Sequence, residues 1–234
     1  MEIAQTNLQL YNQLGRMGWD DTSLIQIRHS YDLVRALFGC SFRPSHKPFI
    51  CHLVGTASVL AHWGERPGMV VAGLLHSAYL YGNFGDRAHG VNDARRQYLE
   101  GKSGAEAEGL VYTYTIEKGC DPLTSDNRDF VVLCLADLYD ELLDLGPAYT
   151  PAKIPLELEN WDADKEQVFF DLVSKRVGPE PAIDFQGKVD AFLKASICKG
   201  LQAEETASFR VKEGVPGFKK NRKKNLLSRI LGKG

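Results

Sequence analysis

The stretch that decides the fold runs from Arg43 to Phe84 and reads RPSHKPFICHLVGTASVLAHWGERPGMVVAGLLHSAYLYGNF. It spells two short helices, each with a histidine. The first is expected from about Phe49 to Trp63, because Phe49, Leu53, Thr56, Ala57 and Leu60 recur at helical spacing. Gly64-Glu65-Arg66-Pro67-Gly68 stops it, since Pro and Gly favour loops. The second is expected from about Pro67 to Tyr79, with Pro67 in the first turn, where its missing N–H costs little. Its VVAGLL run is apolar all round, which predicts a buried helix ending at His76. His52 and His76 stand 24 positions apart, and a buried imidazole needs partners for its nitrogens.

Outward from this pair, the pattern stays helical. Residues 1 to 18 carry an imperfect apolar stripe. A helix from about Ser23 to Phe38 is expected to be capped by Asp21 or Thr22 and ended by Gly39. Asn92 to Leu99 and Gly104 to Glu117 read as helices, as does Asp126 to Leu145, with Asp126 as cap and Gly146-Pro147 as stop. Tyr149 to Asn160 contains proline and reads as extended or looped. Trp161 to Val177 and Phe185 to Gly200 read as two more helices, and Ala203 to Phe209 as a short final turn. No region alternates with period two for long, so the class is all-α, a helical bundle with extra C-terminal helices. The expected division is a helical domain over 1–148, a helical extension packed on it over 149–210, and a basic tail over 211–234.

The 234 residues are 44% hydrophobic and 25% charged, ordinary for a globular chain with a substantial core. Five cysteines, Cys40, Cys51, Cys120, Cys134 and Cys198, form no C-x-x-C pair and read as reduced thiols, which points to the cytoplasm. No basic start precedes an apolar run at the N-terminus, and no stretch reaches the ~18 apolar residues of a membrane span, so neither a secretory signal nor a transmembrane segment is expected. The net charge is −2. It is unevenly placed: from Val211 on, eight Lys or Arg face one Glu, leaving 20 basic against 29 acidic residues elsewhere. Leu226, Leu227, Ile230 and Leu231 in this tail have helical spacing, so a basic amphipathic helix that touches anionic lipid or RNA is one reading. A solubilising end, or a stripe packed on its own body, is the other.

Asp137 closes one of the most apolar runs of the chain, Phe130 to Ala136. A carboxylate among core residues costs several kcal/mol unless a cation or strong donors compensate. It is either a metal ligand or a core-edge group bonded to an amide, Tyr or Arg.

Arg43, Pro48-Phe49-Ile50, His52, Ala72-Gly73-Leu74-Leu75-His76 and, further on, Leu135-Ala136-Asp137-Leu138 occur in an order that resembles the HD superfamily of metal-dependent phosphohydrolases. Within it, the hydrolase domain of the Rel/Spo guanosine tetraphosphate enzymes is the most similar, over roughly residues 25 to 145. The resemblance implies an HD-domain-like helical bundle. It also implies one divalent metal ion, Mn, Fe, Co or Zn, held by His52, His76 and Asp137. Two imidazoles and one carboxylate leave coordination positions open for water or substrate. The chain departs from the pattern at the doublet, which is His76-Ser77 rather than His-Asp. The acidic pair that follows in the Rel/Spo enzymes is replaced by Ala78-Tyr79-Leu80-Tyr81. Guanosine tetraphosphate hydrolysis is therefore not expected. The chain is also similar to an uncharacterised HD-like family with H-L-x-G-T, W-G and A-G-L-x-H-S-x-Y, which brings no activity with it. Only His89 lies between the doublet and Asp137, against the additional histidines of the di-iron HD oxygenases, so a single metal is expected.

On this reading the chain is a metal-dependent hydrolase of a small phosphorylated or otherwise anionic substrate. Ser77, Glu141 and Tyr79 are candidates for touching or orienting a bound water, and Arg43, His46 and Lys47 for meeting the anion. Five of them also have a plain structural role open to them: Ser77 as a cap, Tyr79 as packing, Glu141, Arg43 and Lys47 as surface charges; His46, at the wrong spacing for the face of His52, needs a loop to fold it in. Two other classes remain: a non-catalytic HD-like binding module, and an Fe(II)-dependent oxygenase using the same three ligands.

Overall fold

A computed structural model describes residues 2–86, 88–122, 124–151 and 155–211. The basic stretch from residue 212, with its expected amphipathic helix, lies outside the described residues. In chain order the elements are α1 (Asn7–Arg16), α2 (Asp21–Phe38), β1 (Ser41–Phe42), α3 (Phe49–His62), α4 (Pro67–Leu75), α5 (Ala78–Tyr81), α6 (Asp93–Ser103), α7 (Ala105–Glu117), α8 (Arg128–Leu143), α9 (Ala163–Val177), α10 (Pro179–Leu193) and β2 (Phe209–Arg210). Short 3-10 turns occupy Gly146–Tyr149, Pro155–Asn160 and Lys199–Leu201. The fold is all-α, with one short two-stranded ribbon among the described residues.

The architecture follows from α3. Every residue from His52 to Ala61 is buried, so this helix is covered on all sides and not along one stripe. It packs against α4 and α8, with α1 and α2 closing its other faces. Gly64 takes a positive φ of 74° and turns the chain, and Pro67 at the first position of α4 restarts it. Residues Gly68 to Leu75 of α4 are likewise all buried. Phe49, fully buried and stacked on Phe38 at 4.8 Å, anchors the start of α3. Truncating such a ring to alanine costs about 3–5 kcal/mol. α9 and α10 pack on the outer face of α8, where Tyr139 stacks on Phe185 at 5.4 Å.

Several expected boundaries move, each for a local reason. The first helix starts at Asn7, not at the chain start, because Thr6 and Gln9 form a capping box. The residues before it dock instead: Ile3 and Ala4 are buried, and the Ala4 N–H donates to Ser58 Oγ at 2.9 Å. Asp20 caps α2, one position before the expected residues, and Asn127 rather than Asp126 caps α8. The helix expected over 67–79 is two, α4 and α5, separated by His76 and Ser77. The last helix begins at Pro179, six residues earlier than expected, because Gly178 at φ 103° ends the preceding path and Pro179 is preorganised for a first turn. The final turn expected over 203–209 runs into β2, which pairs antiparallel with β1: Ser41 faces Arg210 and Phe42 faces Phe209.

Candidate metal centre

Three elements deliver three donors to one buried point. His52 sits one turn into α3, His76 at the end of α4 and Asp137 in the middle of α8. One ligand atom from each lies within 4.8 Å of the others. His52 Nε2 is 3.0 Å and His76 Nε2 3.5 Å from Asp137 Oδ1. Yet all three atoms are buried without a hydrogen-bond partner, so they face a common space rather than one another. Buried polar atoms are normally satisfied, and three orphans at one place call for a ligand.

The opposite nitrogen of each ring is fixed. His76 Nδ1 lies 2.8 Å from the Gly73 carbonyl, which can only accept, so this nitrogen carries the proton. Burial pushes the His76 imidazole below its ordinary pKa despite the pull of Asp137, which favours the neutral ring. Its Nε2 therefore offers a lone pair. His52 Nδ1 lies 2.8 Å from Asp140 Oδ2, a carboxylate that places the proton in the same way. An imidazole whose far N–H is held by a carbonyl or carboxylate is the usual form of a metal-binding histidine. Asp137 Oδ2 accepts from Tyr114 OH at 2.6 Å, and Lys118 Nζ donates to that hydroxyl at 2.9 Å. Burial alone would raise the Asp137 carboxyl. Lys118, joined by the imidazoles only when they are protonated, outweighs it and holds the carboxyl well below the carboxylate range. The same burial, with Asp137 beside it, pushes the Tyr114 phenol far up, so it stays a donor. The donor set, two neutral imidazoles and one anionic oxygen, fits a divalent ion of the borderline series from Mn to Zn.

The remaining candidates fall in different places. Arg43 pairs with Glu141 and lies 5.4 Å over the Phe49 ring. Both residues of this pair line a cavity of about 410 Å3 shared with Asp137, Tyr114, Tyr81 and Lys118. Lys47 lies in a second cavity of about 130 Å3, which Arg43, Glu141 and His52 also line, and its ammonium bonds Asp140 at 2.9 Å and Asp144 at 3.1 Å. Ser77 Oγ is buried and unpartnered. The Tyr79 hydroxyl is committed elsewhere: it donates to Glu108 at 2.7 Å, a carboxylate also held by Arg96. His46, at φ 65° in the turn before α3, points to Glu205, 2.6 Å away, and packs on Phe209. The structure thus brings His52, His76 and Asp137 together, sets Arg43 and Glu141 at the adjoining cavity, and directs Tyr79, His46 and Lys47 to other partners.

Sequence reasoning missed Asp140, Tyr114 and Lys118. Asp140 is one turn from Asp137 on α8, a spacing that was readable. Tyr114 lies in the helix expected over 104–117, and nothing in that pattern marks its hydroxyl.

A family model described as a domain of unknown function (DUF6817) matches residues 34–118. That span holds His52, His76, Tyr114 and Lys118 but stops before α8 and Asp137. No curated protein matches the chain. Among the described residues, no helix is long and apolar enough to cross a membrane.

Proposed function

We propose that the chain is a mononuclear, metal-dependent hydrolase of the HD type that acts on a small anionic substrate. The observation that carries the reading is the convergence of three buried, unpartnered donor atoms, His52 Nε2, His76 Nε2 and Asp137 Oδ1. A divalent ion bound there supplies Lewis acidity and lowers the pKa of a bound water. The protein supplies the rest. Asp137 borders the cavity of about 410 Å3, larger than the one of about 130 Å3 at His52, and substrate approaches from this roomier side. Lys118 and Arg43 give this cavity two cations, suited to a phosphate or carboxylate. Arg43 must share itself with Glu141, whose carboxylate is thereby held at the cavity wall to accept a proton from water. Tyr114 keeps Asp137 Oδ2 occupied, leaving Oδ1 for the metal. Ser77, the neighbour of His76 in the chain, keeps a buried hydroxyl without a partner, free to bond a water. Lys47, bound to Asp140 and Asp144, serves the ligand shell rather than the substrate.

The test is elemental analysis of the full chain purified without added metal or chelator, beside His76→Ala and Asp137→Asn. About one equivalent of Mn, Fe, Co or Zn in the wild type, lost in both variants, is the expected result. The loaded protein is then assayed on phosphomono- and phosphodiesters. Absence of metal from the wild type even after reloading, or its full retention in Asp137→Asn, would overturn the assignment. The same two-histidine, one-carboxylate set also suits Fe(II) and oxygen. Iron as the bound metal, with oxygen-dependent turnover, would select that chemistry instead.

A further inference from the structure

Asp140 is completely buried and gathers four interactions from three directions. Its Oδ2 accepts from His52 Nδ1 at 2.8 Å and from Lys47 Nζ at 2.9 Å. Its Oδ1 accepts from Gln5 Nε2 at 3.1 Å, an amide that arrives from the segment before α1. The fourth is its close approach to the bare Gly55. A Cβ on Gly55 would fall on Asp140 Oδ1, and Gly55 lies in the middle of α3, where glycine otherwise weakens a helix by about 0.5–1 kcal/mol relative to alanine. The chain thus accepts a weak helix position, a buried anion and a buried amine at one spot. A buried ion pair by itself is no better for stability than apolar packing. The common target of these features is the far side of His52.

We infer that Asp140 is the positioning residue of this centre. It locks His52 in the Nδ1–H form, so that Nε2 is presented as a ligand, while Lys47, Gln5 and the bare Gly55 keep the carboxylate seated. The inference rests on the metal reading of the three donors. It is also separable from it, because the ring form can be read without metal. His76 is an internal control: its Nδ1 is held by the Gly73 carbonyl, which owes nothing to Asp140.

The experiment has two readouts on the full chain. The first is a long-range 1H–15N spectrum of the imidazoles in metal-free protein, tractable with six histidines. Wild type should show His52 and His76 both protonated at Nδ1. Asp140→Asn should shift His52 to a mixture with the Nε2–H form and leave His76 unchanged. The second is Co(II) titration followed by its visible absorption, in which Asp140→Asn should bind about 10–100-fold more weakly. Should Asp140→Asn not fold, Gly55→Ala replaces it. Its Cβ meets Asp140 Oδ1, Asp140 Cγ at 2.6 Å and Gln5 Nε2 at 2.8 Å, all side-chain atoms, so the carboxylate leaves its seat, charge intact, toward the cavity of about 130 Å3 that Asp140 already borders. It should give the same spectral change and the same loss. Unchanged His52 signals and unchanged Co(II) affinity in the folded variant would refute the role while leaving the metal centre standing. A wild type that takes up no Co(II) would remove the metal reading and this role with it.

Discussion

Gly73→Ala probes the closest approach in the fold. α3 and α4 meet where Gly73 faces Ala57 and Leu60. A Cβ at Gly73 would lie 2.6 Å from Leu60 Cδ1, 3.1 Å from Ala57 Cα and 3.2 Å from Ala57 N. Leu60 is fully buried and has little room to swing, and the Ala57 backbone cannot move without its helix. The two helices must therefore part by a few tenths of an ångström. Overpacking of this kind costs about 1–3 kcal/mol. Alanine returns about 0.5–1 kcal/mol of helix propensity. The expected net loss is about 1 kcal/mol and at most about 2.5, or about 2–4 °C and at most about 10 °C in Tm for a chain of this size. The site should suffer as well, because the Gly73 carbonyl holds His76 Nδ1 and moves with the helix. Thermal unfolding of the metal-free protein measures the first effect and Co(II) titration the second. Gly15→Ala, with nothing within 4 Å of its Cβ, is the control and should be neutral or stabilising. A Gly73→Ala protein as stable as wild type, binding Co(II) as tightly, would show that the α3–α4 approach is not tight and does not set the histidine spacing.

Two further outcomes follow from the site. Tyr114→Phe removes a hydrogen bond to a carboxylate and one from an ammonium, and should cost about 1.5–3 kcal/mol by urea denaturation; an unchanged midpoint would mean that Asp137 is held by something else. Stability of the metal-free chain should fall on acidification in two stages. His76 has a depressed pKa in the folded state, so protons favour the unfolded chain once pH drops below about 6.5. Asp137 and Asp140 are also depressed, and their contribution, complete above about pH 4, is lost as pH falls further. His76→Phe should flatten the upper stage, and a wild type whose urea midpoint is constant from pH 7 to 5 would contradict a buried neutral ring.

The helices were legible because their stops are chemical. Gly64 and Pro67, and Gly146-Pro147, punctuate runs whose apolar content leaves few alternatives. The ligand triad was legible only through the order of His52, His76 and Asp137, since apolar surroundings alone equally suit a satisfied core histidine. Asp140 lay within reach of the spacing argument, one turn along from Asp137 on the same face, but its seat did not. What buries it is the absence of a side chain at Gly55, 85 positions earlier, and single-helix periodicity does not carry such a pairing. The break at His76-Ser77 escaped for a similar reason. Neither residue is a helix stop, and α4 ends there within a fully buried segment. Pro179 was readable as a first-turn proline after Gly178, and only the apolar stripe around Phe185 drew the expected start downstream.

The reach of the contacts around the centre has a kinetic meaning. α3 and α4 are joined by a tight turn at Gly64 and can pair as soon as both exist, so the two imidazoles are brought near one another early. Asp140 meets Lys47 across 93 positions and Gln5 across 135, and His46 meets Glu205 across 159. Loops of that length close late and slowly. During synthesis the chain therefore carries a half-built, two-histidine pocket until α8 has emerged and docked. The turn bearing Arg43 and His46 is clasped last, when Phe209 reaches Phe42. An ion that requires all three donors cannot commit before α8 docks, so its capture would mark a chain whose centre is complete while the ribbon is still to be clasped.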